Sequence, residues 1–184
     1  MNKKALIISG AIAGGLLLLA TAGEQAVKVV LSIEHEAFLR ELHQAVAPRF
    51  RAFIDQVQKK TGYNVIITSG YRTYAHQARL HREDSRNAKP GFSHHNFGMA
   101  LDINLQKGTE FLRKASPKEA WLRTGVVAIG KQLGFRWGGE FGSYYDPVHF
   151  DTGKEYSTTR LHALAEKQFG TNPEKVQGNK VKLT

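Results

Sequence analysis

The chain has 184 residues, no cysteine, and 26 Lys plus Arg against 16 Asp plus Glu, a formal charge of +10. That length suits one domain with a real core rather than two. The lack of cysteine excludes disulfides and thiolate zinc sites, so any transition metal must be held by His and carboxylate. The charge points to an anionic partner such as nucleic acid, acidic lipid or an acidic cell-wall polymer.

The N-terminus carries Lys3 and Lys4 and then an uncharged run over residues 5–22. Such a run, close to the roughly 20 residues that cross a bilayer, predicts a hydrophobic helix over residues 1–23. It is a signal peptide cleaved near Ala20-Thr21-Ala22 or a retained signal anchor with its lysines inside. Either reading exports the remainder, divided into a domain over 24–169 and a flexible basic tail over 170–184.

From Ser32 to Lys60 the apolar residues recur at helical spacing, with Phe38, Leu39, Leu42 and Val46 followed by Phe50, Phe53, Ile54 and Val57. Pro48 divides or bends this stretch and Gly62 stops it. Residues 64–69 (NVIITS) read as a buried strand, and Thr73 caps a helix running to about Glu83. Residues 84–98 form a loop rich in Ser, Asn, Gly, Pro and His. Met99 to Leu105 reads as a strand with Ala100 and Asp102 on one face and Leu101, Ile103 and Leu105 on the other. Ser116-Pro117-Lys118-Glu119 has the form of a capping box opening a helix to about Leu133. A glycine-rich loop begins at Trp137-Gly138-Gly139, Val148 to Asp151 reads as a last short strand, and a helix spans about Thr158 to Phe169. Helices followed by mixed strands and helices indicate an α+β domain, a small antiparallel sheet flanked by helices.

Of eight histidines, His35, His43, His76, His81 and His162 fall in charged helical stretches and read as solvated. His94, His95 and His149 lie beside strands and glycine-rich loops, where a scaffold presents ligands. His95, Asp102 and His149 together offer the three protein ligands that a catalytic zinc commonly keeps. Gly98 and Ala100 leave room around such an ion, and a carboxylate at Asp102 calls for something positive. The competing reading is a hydrogen-bonded His/Asp loop without metal. Asp146, three residues before His149, suits a general base acting on water. It is also a plain turn residue ahead of Pro147, and Glu140 and Asp151 are rivals for the role. Arg72 emerges at a strand end, where a guanidinium can bind a carboxylate or stabilise an oxyanion.

The combination of SGYRT, then Ser93, His95, Gly98, Ala100 and Asp102 in an SxHxxGxAxD pattern, then Trp-Gly-Gly and Asp146-Pro-Val-His149-Phe, resembles one family. It is the zinc peptidases of bacterial cell walls, comprising D-Ala-D-Ala carboxypeptidases, D-Ala-D-Ala dipeptidases and phage L-alanyl-D-glutamate endolysins. The resemblance covers about residues 35–160. It implies zinc on His95 (rather than His94), Asp102 and His149, with Asp146 as base, Arg72 at the oxyanion, and Ser93 and Gln77 on the substrate side. RWGGEFGSYYDPVHF looks more like the endolysin type, because the dipeptidases carry Glu and an adjacent Trp where this chain has Asp146 and Val148.

The expected activity is therefore zinc-dependent hydrolysis of the L-alanyl-D-glutamate bond of the peptidoglycan stem peptide. A D-alanyl-D-alanine carboxypeptidase and an inactive wall-binding module are the alternatives. The expected partners are the stem peptide and an anionic membrane surface, with no nucleic acid and a monomeric enzyme. The expected location is across the inner membrane, anchored or periplasmic/extracellular.

Overall fold

The computed structural model describes residues 7–8, 18–19, 24–142, 144–172 and 174–184. Within the N-terminal stretch it gives only strands β1 (Ile7–Ile8) and β2 (Leu18–Leu19), paired antiparallel. The remainder of the segment expected as a hydrophobic helix and export signal lies outside the described residues. Among the described residues, no helix is long and apolar enough to cross a membrane.

Helix α1 (Glu24–Glu41) and helix α2 (Ala47–Thr61) are separated as Pro48 requires, with the proline in the first turn of α2 and Gly62 closing its end. Helix α2 buries Phe50, Phe53, Ile54 and Val57 on one face, as their spacing predicts. Strand β3 (Asn64–Ser69) leads to helix α3 (Tyr74–Glu83), whose first turn is capped by the Thr73 side chain accepting from the His76 amide. Strands β4 (Ala100–Lys107), β5 (Glu110–Leu112), β6 (Arg136–Trp137) and β7 (His149–Asp151) complete the antiparallel sheet. Its order is β3-β4-β7-β6, with β5 pairing the far end of β4. Helices α1 and α2 and the aromatic residues Phe135, Trp137 and Phe150 cover one face, where Phe50 and Phe135 stack at 4.3 Å between ring centroids.

Four expectations change. The single helix from the capping box is two, α4 (Lys118–Arg123) and α5 (Val126–Gln132), broken at Gly125 with φ 78°. Ser116 does not cap α4, since its hydroxyl accepts from the Arg113 amide instead. His35 and His43 are buried, not solvated, because each ring donates through Nε2 to a backbone carbonyl at 2.8 Å, Val65 and Val181 respectively.

The C-terminal segment is packed, not a free tail. After helix α6 (Thr158–Phe169), Val176 and Val181 enter the core, and Gln168 exchanges two hydrogen bonds with the backbone of Lys182. Its overall polarity hid two valines at buried positions, which dock it together with hydrogen bonds from His43 to Val181 O and from Asn179 to Glu41 O.

Candidate active site

The site forms where β4 and β7 pair. In that register Asp102 lies opposite His149 and Ala100 opposite Asp151, while Leu101 and Phe150 form the pair between them on the core face. The two-residue period therefore aims both carboxylates and the histidine away from the core. On the other side of β4, Ser69 is the partner of Asp102, after a register shift between Ile67 and Ser69 that ends the regular ladder.

His95 arrives from a separate element, the 3₁₀ turn His94–Phe97. Gly98 ends that turn at φ 62° and lies so close to α1 that a Cβ there would sit 2.7 Å from the His43 backbone nitrogen. The turn is tied to the loop after β3 by Arg72 N donating to His95 O at 2.9 Å and Asn96 Nδ2 donating to Arg72 O at 2.9 Å.

The three donor atoms converge. His95 Nε2 and Asp102 Oδ1 are 3.1 Å apart, Asp102 Oδ1 and His149 Nδ1 2.9 Å, and the two ring nitrogens 3.2 Å. Four-coordinate zinc with bonds of about 2.0–2.1 Å has donor–donor edges of roughly 3.3 Å, so the triangle is of the right size. The chemistry of the donors fits as well. His95 Nδ1 can only donate to Gly70 O, at 2.6 Å, which leaves Nε2 with a lone pair pointing into the triangle. His149 Nε2 is held by Asp151 Oδ2 at 2.9 Å, which turns Nδ1 inward. A ring nitrogen fixed by a carbonyl or carboxylate so that the other can bind is the usual support of a metal histidine.

Electrostatics agree. Burial disfavours a charge on Asp102, but the two histidines outweigh it and hold its carboxyl well below the ordinary range. Burial opposes protonation of His149 too, yet hydrogen bonds with Asp102 and Asp151 raise it to about 9. The triangle thus calls for positive charge, which a divalent cation supplies.

Asp146 stands beside the triangle, its Oδ1 buried and without a hydrogen-bond partner. Lys114 Nζ is 3.6 Å from that oxygen, an ion-pair distance rather than a hydrogen bond. Burial and the nearby Asp102 raise the Asp146 pKa, with Lys114 pulling in the opposite direction. The backbone explains its position. Asp146 N donates to Gly138 O at 3.0 Å, His149 N donates to Asp146 O at 3.1 Å, and a Cβ on Gly138 would fall 2.3 Å from Asp146 O.

Arg72, Gln77, Ser93, His95, Asp102, Asp146 and His149 all line one cleft of about 790 Å³. Gln77 is buried, donates through Nε2 to Ala88 O at 2.8 Å and leaves Oε1 unpaired. Arg72 has partners that sequence reasoning missed, donating through Nη2 to Asp102 Oδ2 at 2.5 Å and through Nε to Ser69 Oγ at 2.8 Å. Of the rival carboxylates, Glu140 is exposed and paired with Lys131 at 2.6 Å. Asp151 is 1% exposed and gripped by Arg136 through two bonds of 2.7 Å, so it orients His149 and is not free to act as a base. The spacing of His149 and Asp151 on one strand face was the available signal for this; Arg136 required the β6–β7 register. His94 stays outside the triangle: its Nε2 donates to Tyr156 O at 2.8 Å, and its Nδ1 lies 3.6 Å from Asp151 Oδ2 on the cleft wall.

Residues 86–152 match the family model described as D-alanyl-D-alanine carboxypeptidase. Over 104 residues the chain is 34% identical to the peptidoglycan L-alanyl-D-glutamate endopeptidase CwlK of Bacillus subtilis (strain 168), across 49% of this chain and 61% of that protein. That family match covers 67 of the 184 residues. The chain spans less than two thirds of the length of CwlK. The family segment holds the 3₁₀ turn, β4 and β7, and therefore the whole donor triangle. Among solved structures, the Serratia marcescens L-Ala D-Glu endopeptidase ChiX superposes with a TM-score of 0.51 at 22% identity, covering 66% of this chain and 89% of that one. That likeness concerns the fold. The vancomycin resistance D,D-pentapeptidase VanY, solved with Zn(II), superposes at a TM-score of 0.45 and 22% identity, covering 66% of this chain and 78% of that one.

Proposed function

We propose that the chain is a zinc-dependent peptidoglycan peptidase that hydrolyses the L-alanyl-D-glutamate bond of the stem peptide. The observation that carries this reading is a His95–Asp102–His149 donor triangle with an unengaged, buried carboxylate oxygen of Asp146 beside it in one cleft. The choice of bond is supported by the identity shared with an L-alanyl-D-glutamate endopeptidase. The family model's own description favours a D-alanyl-D-alanine carboxypeptidase as the second reading.

His95, Asp102 and His149 would hold the ion. Zinc, when bound, lowers the pKa of water and polarises a carbonyl. Asp146, with its raised pKa, takes a proton from the attacking water and passes it to the leaving nitrogen. Arg72 keeps Asp102 in place through Nη2 and has Nη1 without a partner among the described residues, available to the negative charge that develops on the carbonyl oxygen. Ser93 and Gln77 lie along the cleft wall as contacts for the peptide. Action on the wall places the enzyme outside the inner membrane. The net charge of +10 favours residence near anionic polymer or lipid.

The test is digestion of purified peptidoglycan, with products identified by mass. New N-terminal D-glutamyl peptides that vanish with EDTA and with Asp146→Ala are the expected result. Free D-alanine would instead establish the carboxypeptidase reading, and no product from folded, zinc-loaded protein would refute both.

A further inference from the structure

Five cations line the cleft, and the fold commits three of them. Arg72 is held by Asp102, Arg136 by Asp151 and Arg86 by Asp84. Arg113 has no side-chain partner among the described residues. Among the described residues, Lys114 has Asp146 at 3.6 Å and the face of Tyr144 at 5.0 Å. Both residues are exposed and sit in the loop after β5, which Ser116 fastens by accepting from Arg113 N at 3.0 Å and from Tyr145 OH at 2.8 Å. The uncommitted positive charge of the cleft thus sits on two adjacent residues, and Lys114 of the pair stands beside Asp146.

That pair has a chemical role if Asp146 is the base. A base that returns its proton to the leaving nitrogen must stand within hydrogen-bond reach of it. The residue that owns the nitrogen therefore lies on the Lys114 side. A glutamyl residue inside a peptide uses one carboxyl to continue the chain and leaves the other as a free anion. Resting on the endopeptidase reading above, we propose that Arg113 and Lys114 form an anion subsite that reads this free carboxylate and selects it over the primary amide. The amide has nearly the same shape, but it is neutral and places an NH₂ donor against side chains that can only donate.

The experiment uses the full, zinc-loaded chain and two synthetic stem peptides that differ only in whether the glutamyl carboxylate is free or a primary amide. The ratio of kcat/KM values within each protein is the readout, so partial misfolding of a variant cancels. The parent is expected to favour the acid by about 10- to 100-fold, mainly through KM. Arg113→Gln and Lys114→Gln each lower the ratio severalfold, and Arg113→Lys keeps most of it. Equal cleavage of the two peptides by the parent, or an unchanged ratio in both Gln variants, overturns the subsite and leaves the endopeptidase reading standing. Cleavage only at a terminal D-alanine overturns both.

Discussion

At the scale of single residues the site divides into atoms that could meet on a metal ion and atoms that hold them there. Asp151 belongs to the second group, since its only route to the centre is the Nε2 of His149. Asp151→Asn keeps the size but weakens the grip on His149. Zinc affinity should fall about 10- to 100-fold in a competition titration against a chromophoric chelator. An unchanged affinity would show that β7 alone orients the ring. Asp146 belongs to neither group. Asp146→Ala should retain zinc and fold while kcat drops roughly 10²- to 10⁴-fold. Because burial raises its pKa, activity is lost as pH falls through a value above the ordinary carboxylate range. Removing the neighbouring cation in Lys114→Gln disfavours the carboxylate further, so the acid limb of kcat/KM moves to still higher pH. A limb at or below pH 4, about the value of a free carboxyl, would sink the assignment of this base.

At the scale of elements, the loop from β6 to β7 is shaped by one close approach. Gly138 meets the Asp146 carbonyl so tightly that a methyl group has nowhere to go, the obstacle being backbone. Gly138→Ala should cost about 1–3 kcal/mol of stability and lower kcat by displacing Asp146. Urea unfolding and steady-state rates would measure the two effects, and a fully active variant would mean that the loop is softer than its contacts imply. The donor triangle likewise joins elements far apart in the chain, the 3₁₀ turn at His95 and strand β7 at His149. An ion shared between them would therefore stabilise the fold as a whole. Zinc at about 100 times its Kd should add about 2.7 kcal/mol, a rise in Tm of roughly 5–10 °C for a chain of this size. Calorimetry with and without EDTA would detect it.

At the scale of the whole molecule, the positive charge acts on encounter more than on chemistry. Sedimentation with anionic wall polymer should weaken steadily between low and high salt, because exposed charges are screened beyond about 10 Å at 0.1 M ionic strength. Turnover of a small neutral-backbone peptide should change much less. Salt-independent sedimentation would assign wall binding to specific contacts instead of net charge.

What the sequence determined by itself was local in origin. Periodicity and punctuation placed α2, α3 and α6 and strands β3, β4 and β7, though not the short β5 and β6, and the two-residue alternation put Asp102 and His149 on outward faces, because each of these depends on neighbours within one or two turns of chain. Residue type and spacing also nominated His95, Asp102, His149 and Asp146, all of which line the cleft. The tertiary structure alone decided which groups meet. The antiparallel register set Asp102 opposite His149, Arg136 found Asp151 across β6 and β7, and Arg72 reached Asp102 from a loop some thirty positions earlier. It also buried His35 and His43, whose charged sequence neighbourhoods read as solvent, and docked the C-terminal segment through Val176 and Val181. The physical reason is the same in each case: a hydrogen bond or a buried contact between distant segments is fixed by packing of the folded core, and no local pattern in the chain encodes it.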